Sequence, residues 1–452
     1  VALRLIAWII SLGAVKDSTA TTPERVNLIT RSIWQHAKRI LPTLGYARSQ
    51  NNNHILSEAL GLVFAGDFLQ TISPGATRLC RKGESEFERS LLKQIEKDGT
   101  YSQHSANYHR MMLQLSLLYD AHLRRKDCML PEKVRQQLAA ATRWLIAQMD
   151  STSGKLPNLG HNDGSLLLSL GCADYRDYRP TAQAASLAFL GAPCLPAGEW
   201  DALAAWLGLA PSTLNTPFSQ TSSPAVHKVQ QGSTWGSLRG VEFHGRPAHA
   251  DQLHVDLWWD GINIACDAGT FSYNDPPPWQ NALDSTRVHN TITIDGRDQM
   301  TRVSRFLWLD HANAVWEAAA DPNRICAMHD GYRKIGYAHK RSLELIPNSG
   351  FLVTDLLDPL KADLRENTFT LHWLLPDWQW KIENGNLLLS KEDRNILIRV
   401  QAVKPQDGTS ITPRDIALIR GGKTLLGARQ DPILGWESNT YAEKHAALSY
   451  SL

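Results

Sequence analysis

Three stretches of this 452-residue chain concentrate side chains able to do chemistry. The first is Asn51-Asn52-Asn53-His54, followed by Glu58, at the entrance to a segment with helical spacing. One asparagine suffices as an N-cap, since its side-chain oxygen accepts one of the orphan amide protons. The others are redundant for that task, so the group reads either as a polar loop or as amide donors at a site. The second stretch is "DGTYSQHSANYHRMML", residues 98–113. His104 and Tyr108 are four apart, so a helix reaching back to residue 104 would carry both on one face, with His109 and Arg110 pointing elsewhere. A tyrosine there also reads as a core residue with its hydroxyl at the rim. Gln103, His104 and Asn107 beside it are costly to bury without partners. The third is "HGRPAHADQLHVDLWWDGINIACDAGTFSYN", residues 244–274. His249 and Asp251 precede a hairpin, Asp267 follows it, and His289 comes later in "STRVHNT". A hairpin returns the chain beside its start. Two imidazoles and a carboxylate gathered in this way suit zinc with a fourth position open or held by water. The same residues serve equally as hydrogen-bonded or surface polar groups.

The elements that must position these groups change character along the chain. Leu56, Ala59, Leu60 and Val63 recur at helical spacing, as do Tyr108, Met111, Met112, Leu115 and Tyr119, and then Val134, Leu138, Leu145 and Met149. Loops rich in Gly, Pro, Asn and Asp, such as "PNLGHNDGS" (157–165), separate them. Successive helical hairpins predict a bundle, solenoid or toroid. The Ser/Thr/Pro-rich segment 214–233 reads as a linker or first loop. Beyond it period-2 patterns take over. Leu253, Val255 and Leu257 alternate with His254, Asp256 and Trp258; Asp260-Gly261 is a strong hairpin turn; Ile262, Ile264 and Cys266 alternate on the return. "TITIDG", "ENGNLLLS" and "ILIRVQ" continue the pattern. The expected organisation is an α-rich domain over 1–215 and an antiparallel β-sandwich over 216–452.

Bulk properties narrow the function classes. A net charge of +2, from 47 basic and 45 acidic residues, gives no global field to recruit nucleic acid. Six widely spaced cysteines without a CxxC pair form neither a zinc knuckle nor a disulfide framework. The opening "VALRLIAWIISLGAV" is short for a membrane span and contains Arg4. It is similar to a signal h-region, but lacks a basic stretch before it, so it is read as a core helix in a chain whose true N-terminus is missing. Fifteen tryptophans offer flat faces for sugar rings, although core packing accounts for most tryptophans. Strand alternation turns one of Trp258 and Trp259 inward, leaving at most one of them, with Trp279, as a platform.

Taken together, "NNNHILSEALGL", "DGTYSQHSANYHRMML", "HADQLHVDLWWDGINIACDAGTFSYN" and "RVHNTITIDGRDQM" resemble the heparinase II/III-like polysaccharide lyases, a group that includes heparin/heparan sulfate, glycosaminoglycan and oligoalginate lyases. The resemblance implies an incomplete (α/α) toroid followed by an antiparallel β-sandwich, and β-elimination at a uronic acid. By similarity, Asn53 neutralises the uronate carboxylate, and His54 assists there or serves as base for one epimer. Tyr108 is the general acid and often the base as well. A free phenol titrates near ~10, so a basic role needs nearby positive charge or donors; His104 or Arg110 are candidates. Gln103, His104, Arg246 and Arg287 are the expected substrate-binding residues. His249, Asp267 and His289 resemble the zinc set that holds β-domain loops, a mainly structural ion. Where relatives often carry a catalytic histidine two residues before the metal ligand, this chain has Pro247. Either His249 itself faces the substrate, or His244 or Arg246 substitutes, or the role is absent.

The implied partner is an anionic polysaccharide such as heparan sulfate, hyaluronan or chondroitin. Arg239, Arg246, Arg287, Arg297, Arg302 and Arg305 flank the motifs and suit sulfate or carboxylate groups, or are solvated surface charges. An oligoalginate or bacterial exopolysaccharide lyase is the nearest alternative, and a non-catalytic carbohydrate-binding protein a more distant one. A hydrolase would need two carboxylates across a cleft, and Glu58, Asp98 and Asp163 have no supporting motif. The family expectation is a periplasmic or secreted protein with no membrane span; a cytoplasmic one is the alternative, and the oligomeric state is open.

Overall fold

The computed structural model describes residues 1–209, 223, 226–318, 321–362, 365–404 and 407–452. Helices fill the N-terminal region: α1 (Ala2–Val15), α2 (Pro23–Gln50), α3 (Asn53–Phe68), α4 (Ala76–Gln94), α5 (Ala106–Arg124) and α6 (Glu132–Gln148), then the short α7 (Arg179–Ala185) and α8 (Asp201–Trp206). Strands fill the remainder. The chain divides into two compact units. One comprises Val1–His104, Tyr108–Gln148 and Ser165–Ala225; the other comprises Ser105–Asn107, Met149–Gly164 and Val226–Leu452. The expected boundary at residue 215 lies outside the described residues.

The helical unit is organised around α3. Ile55, Leu56, Ala59, Leu60, Leu62, Val63 and Ala65 are all buried, so this helix is covered over most of its surface. Glycines let its neighbours come close. A Cβ on Gly66 would lie 2.5 Å from the Cys80 backbone nitrogen, and one on Gly83 would lie 2.6 Å from the Ala59 carbonyl oxygen. Together they pinch α3 against α4. The first helix exists as expected, but only Ala2, Leu5 and Ile6 of α1 are buried, whereas Leu3, Ile10 and Val15 are exposed.

In the other unit, β1 (Lys228–Gln231), β2 (Thr234–Leu238), β3 (Val255–Trp259) and β4 (Ile262–Ala265) form one antiparallel sheet. Asp260 and Gly261 take φ of 48° and 78°, the left-handed pair that a two-residue hairpin turn requires. The first strand, Lys228–Gln231, falls inside the segment expected to be linker; most of the rest of that segment is not described. After β5 (Ile292–Ile294), the hairpin β6 (Thr301–Ser304) and β7 (Leu307–Leu309) stands apart. A second sheet runs β11-β10-β9-β8, built from β8 (Ala314–Trp316), β9 (Arg324–His329), β10 (Tyr337–Ile346) and β11 (Gly350–Pro359). A third joins β12 (Phe369–Leu375) to β5 on one side and to Leu448–Ser451, Ala417–Arg420 and Lys423–Leu426 on the other. Val229, Val255, Leu343, Trp373, Leu387, Leu418 and Tyr450 from these sheets and the Gln379–Ile398 strands share one core.

The alternation along β3 holds only in part. Val255 and Trp258 are buried and Trp259 is half-buried, so one tryptophan of the pair turns inward and stacks on Trp235 at 5.3 Å. The polar positions are not solvated, however: His254 and Asp256 are each 1% exposed.

Candidate functional site

The Asn51–His54 stretch resolves into separate tasks. Asn51 ends α2 in the left-handed region at φ 49°, donating its backbone N–H to the Arg48 carbonyl. Asn52 is the N-cap of α3: its Oδ1 accepts the His54 amide at 3.0 Å. That frees the Asn53 side chain. Asn53 is buried; its backbone N–H donates to Gln103 Oε1 at 2.8 Å, and its Nδ2 reaches Met111 Sδ at 3.4 Å. A thioether is a weak acceptor, so this amide is an underused donor. Tyr101 donates to Gln94 Oε1 (3.0 Å) and Gln103 Oε1 (3.2 Å), and Gln94 donates to the Asn52 carbonyl (3.1 Å). The network locks the entrance of α3 to the 101–103 turn. His54 is exposed, whereas Tyr108 on the first turns of α5 is 9% exposed. Burial and then the nearby Tyr108 phenol push the Tyr101 hydroxyl far up, which keeps it a neutral donor.

His104 does not share a face with Tyr108. The turn closed by the His104 amide on the Tyr101 carbonyl (2.9 Å) leaves His104 at φ 47°, incompatible with a helix, and α5 starts at Ala106. His109 and Arg110 are buried. His109 stacks on Trp144 and meets the Ala141 carbonyl through Nε2 at 2.9 Å. The Arg110 guanidinium lies 4.5 Å from both the Tyr175 and Tyr178 ring centres. The three candidate hydrolytic carboxylates are each engaged locally: Glu58 with Thr43, Asp98 with the Thr100 amide, and Asp163 with Asn107.

The strand-rich unit gathers His249, Asp267 and His289, all fully buried, with one donor atom from each lying within 4.8 Å of the others. Both ring nitrogens of His249, both of His289 and Asp267 Oδ2 have no hydrogen-bond partner among the described residues. So many orphaned polar atoms at one point are costly unless a cation joins them. His289 Nδ1 and Asp267 Oδ2 stand 3.6 Å apart, a spacing for a shared ion rather than a direct hydrogen bond. The donor set, two imidazoles and a carboxylate, fits zinc.

The surroundings hold these side chains in place. Asp267 Oδ1 accepts the Gly269 amide at 2.8 Å, which aims Oδ2 inward. His254 Nδ1 accepts the Asn290 amide at 3.0 Å, so Nε2 carries the proton and faces Asp267 Oδ2 at 3.8 Å and Asp256 Oδ2 at 3.7 Å. Asn290 donates from its side chain to the Val255 and Cys266 carbonyls at 2.8 and 3.0 Å, tying both hairpin strands to His289. Arg341, fully buried, donates to the carbonyls of Leu253 and Asn290 and makes a two-pronged pair with Asp355 at 2.6 and 2.9 Å. Asp355 also accepts from His339 at 2.6 Å. Burial alone would raise the Asp267 carboxyl, but His289, His254 and His249 hold it well below its usual range. Burial and the neighbouring His289 push His249 well down, leaving it a neutral imidazole able to ligate. Burial also opposes charge on His289, yet the Asp267 carboxylate lifts it above its ordinary value.

Sequence reasoning missed His161. Its ring lies 5.5 Å from those of His249 and Tyr273 and 5.6 Å from Phe306 at the β6–β7 tip. Burial pushes it down to about 4; Asp163 works against that and Arg302 with it. The lone imidazole in the Gly-rich loop 157–165 was the available signal. Of the arginines, Arg239 pairs with buried Asp251 (2.7 Å), Arg287 with Asp431 (2.9 Å) and Arg302 with Asp284 (3.2 Å), while Arg246 and Arg297 are exposed. Trp279 is covered on one face by the Lys444 ammonium, 3.2 Å from the ring centre. His244 is exposed and Pro247 buried.

With this geometry in hand, comparison places the chain. Residues 233–426 match the heparinase II/III-like C-terminal family. No curated protein sequence matches. Among solved structures, a heparinase III aligns over 99% of this chain and 65% of its own length, with TM-score 0.70 and 14% identity. A methylated heparinase III covers 100% and 64% (TM-score 0.65, 15% identity). Heparan sulfate lyase HepC from Pedobacter heparinus covers 99% and 64% (TM-score 0.61, 19% identity). The chain thus spans just under two thirds of the length of these structures. No described helix is long and apolar enough to cross a membrane. Residues 233–426 are thus similar to the heparinase II/III-like C-terminal family, and the chain carries the fold of the heparinase III structures, helices first and strands after.

Proposed function

We propose that the protein is a polysaccharide lyase that cleaves a uronic-acid-containing anionic polysaccharide by β-elimination. In this reading residues 1–215 form the catalytic (α/α) toroid and 216–452 the β-sandwich, and the protein acts in the periplasm or outside the cell. The observation that carries it is the buried Asn53 carboxamide. Its backbone is fixed by Gln103, and among the described residues its Nδ2 meets the Met111 thioether. Such a donor is held ready for a better acceptor, and a uronate carboxylate is one.

The chemistry requires that donor. The C5 proton of a uronate is poorly acidic while the adjacent carboxylate keeps its charge, so donors must stabilise the enolate-like state. Asn53 supplies this stabilisation, with His54 beside it on the exposed side of α3. Tyr108 takes the C5 proton as phenolate and, as phenol, protonates the glycosidic oxygen leaving C4. The C5–H and C4–O bonds break, a C4–C5 double bond forms, and no water is consumed. Gln103, His104, Arg246 and Arg287 are the proposed substrate-binding residues, and His249, buried with Asp267 and His289, is assigned to the metal. His249, Asp267 and His289 would hold a zinc ion, which when bound supplies the positive charge that fixes these loops. A glycosaminoglycan is the favoured substrate and oligoalginate or an exopolysaccharide the alternative.

The test is to incubate the chain with heparan sulfate, hyaluronan, chondroitin sulfate and alginate and follow the ultraviolet absorbance of the unsaturated uronate. Absorbance should rise on at least one, and Asn53→Ala should lower kcat/KM by roughly 10²–10³-fold on it. New reducing ends without that absorbance would replace elimination by hydrolysis; no cleavage at all would favour a binding protein.

A further inference from the structure

The pinch between α3 and α4 has a consequence away from the site described above. Close approach at Gly66 sets Asp67, near the end of α3, against Cys80 on α4. Glu84 follows Cys80 by one helical turn, so both project from one face of α4. His122, near the end of α5, completes the group: Cys80, Glu84 and His122 each bring a donor atom within 4.8 Å of the others. Tyr119, one turn earlier, donates to Glu88 at 2.7 Å and fixes α5 against α4. Phe64 lies against the His122 ring at 5.7 Å.

Two features distinguish this group from an ordinary ion-pair cluster. The His122 side chain is 6% exposed, and its Nε2 has no hydrogen-bond partner among the described residues. Asp67 is shared: Lys126 binds one of its oxygens, while Oδ2 faces His122 Nδ1 at 3.8 Å, too long for a hydrogen bond. The Cys80 thiol rests 3.5 Å from Glu84. A divalent cation would turn that arrangement into a charge-balanced one. Together with the Lys126 ammonium it neutralises a thiolate and two carboxylates, leaving the imidazole neutral.

We infer that Cys80, Glu84 and His122 form a second metal site, independent of the His249 set, that takes a borderline-soft divalent cation such as zinc, with Asp67 beside the His122 ring rather than among the three ligands. Thiolate, imidazole and carboxylate donors around one point are the zinc ligand types, and residues four apart on a helix are a recurrent way to present two of them. Binding displaces the thiol proton to solvent and involves no redox change.

Cobalt(II), a spectroscopic substitute for zinc, separates the two sites, because only a cysteine ligand gives thiolate-to-cobalt charge-transfer absorption. The full chain titrated with cobalt should show that band. Cys80→Ser should abolish it and His249→Ala should retain it, both with unchanged far-ultraviolet circular dichroism. Glu84→Gln, at a half-exposed position, should weaken the cobalt affinity read from the band by about tenfold or more. A band absent from the wild-type chain, or one that survives Cys80→Ser, overturns the site; so does wild-type affinity in Glu84→Gln. None of these readings depends on lyase activity.

Discussion

Asn53 on α3 and His249 in the strand-rich unit are both nearly sealed from solvent, yet their polar atoms are provided for in opposite ways. Around Asn53, Gln94, Tyr101 and Gln103 form a chain of hydrogen bonds, and the Asn53 amide that meets only a thioether among the described residues is a donor. Around His249, hydrogen bonds of Asn290, Arg341 and Asp355 fix the surrounding chain, while the innermost atoms of His249, Asp267 and His289 have no hydrogen-bond partner among the described residues. The first arrangement suits an anion that arrives and leaves. The second suits a cation that stays. A buried polar group without a partner is expensive in either place, so a spare donor suits an anion and clustered spare acceptors suit a cation.

The comparison breaks most sharply at Tyr108. Tyr108→Phe should lower kcat roughly 10²–10⁴-fold, the range of a lost general acid or base, without changing the melting temperature. Near-normal turnover would remove Tyr108 from the chemistry. On the other side, Asp355→Asn leaves the Arg341 guanidinium buried without its counter-ion. It should cost about 3–5 kcal/mol in urea unfolding. By contrast, removing the exposed Arg365–Asp295 pair should cost about 1 kcal/mol or less.

A pH series sharpens the cation side. His289 has a raised pKa in the folded chain, so its pairing with Asp267 stabilises the metal-free protein fully below the unfolded value near ~6.5. That contribution fades as pH rises through the folded value. Asp267 has the opposite sign: its contribution is present above ~3.9 and lost only on strong acidification. Zinc requires His289 deprotonated, so the difference in melting temperature between zinc-loaded and metal-free chain should grow from pH 6 to pH 8. A constant or shrinking difference would separate the ion from His289. The smallest effect belongs to Asn52: Asn52→Ala should cost about 1 kcal/mol as a lost N-cap and leave activity nearly intact.

Much of this was legible in the sequence where a local period governs. The apolar spacing of Leu56, Ala59, Leu60 and Val63 marks α3, and Asp260-Gly261 marks the turn that brings Asp267 back toward His249. Where long-range packing overrides the local pattern, reading failed. His104 would share the Tyr108 face only if the helix reached back to it, but a left-handed residue at 104 precedes α5, which starts at Ala106. His254 and Asp256 occupy the polar phase of β3, which alternation assigns to solvent; they are buried because Asn290, Asn263 and Trp258 supply their hydrogen bonds. His161 belongs to no period at all, and the aromatic rings around its own, His249, Tyr273 and Phe306, come from segments more than 80 residues away in sequence.

The central claim is that cleavage proceeds by elimination, and the oxygen balance of the products tests it most directly. With whichever substrate in the panel is cleaved, the reaction should be run in heavy-oxygen water and the oligosaccharides weighed by mass spectrometry. Elimination predicts unsaturated products that carry no label from the solvent. One heavy oxygen incorporated per cleaved bond, with no unsaturation, would contradict the account.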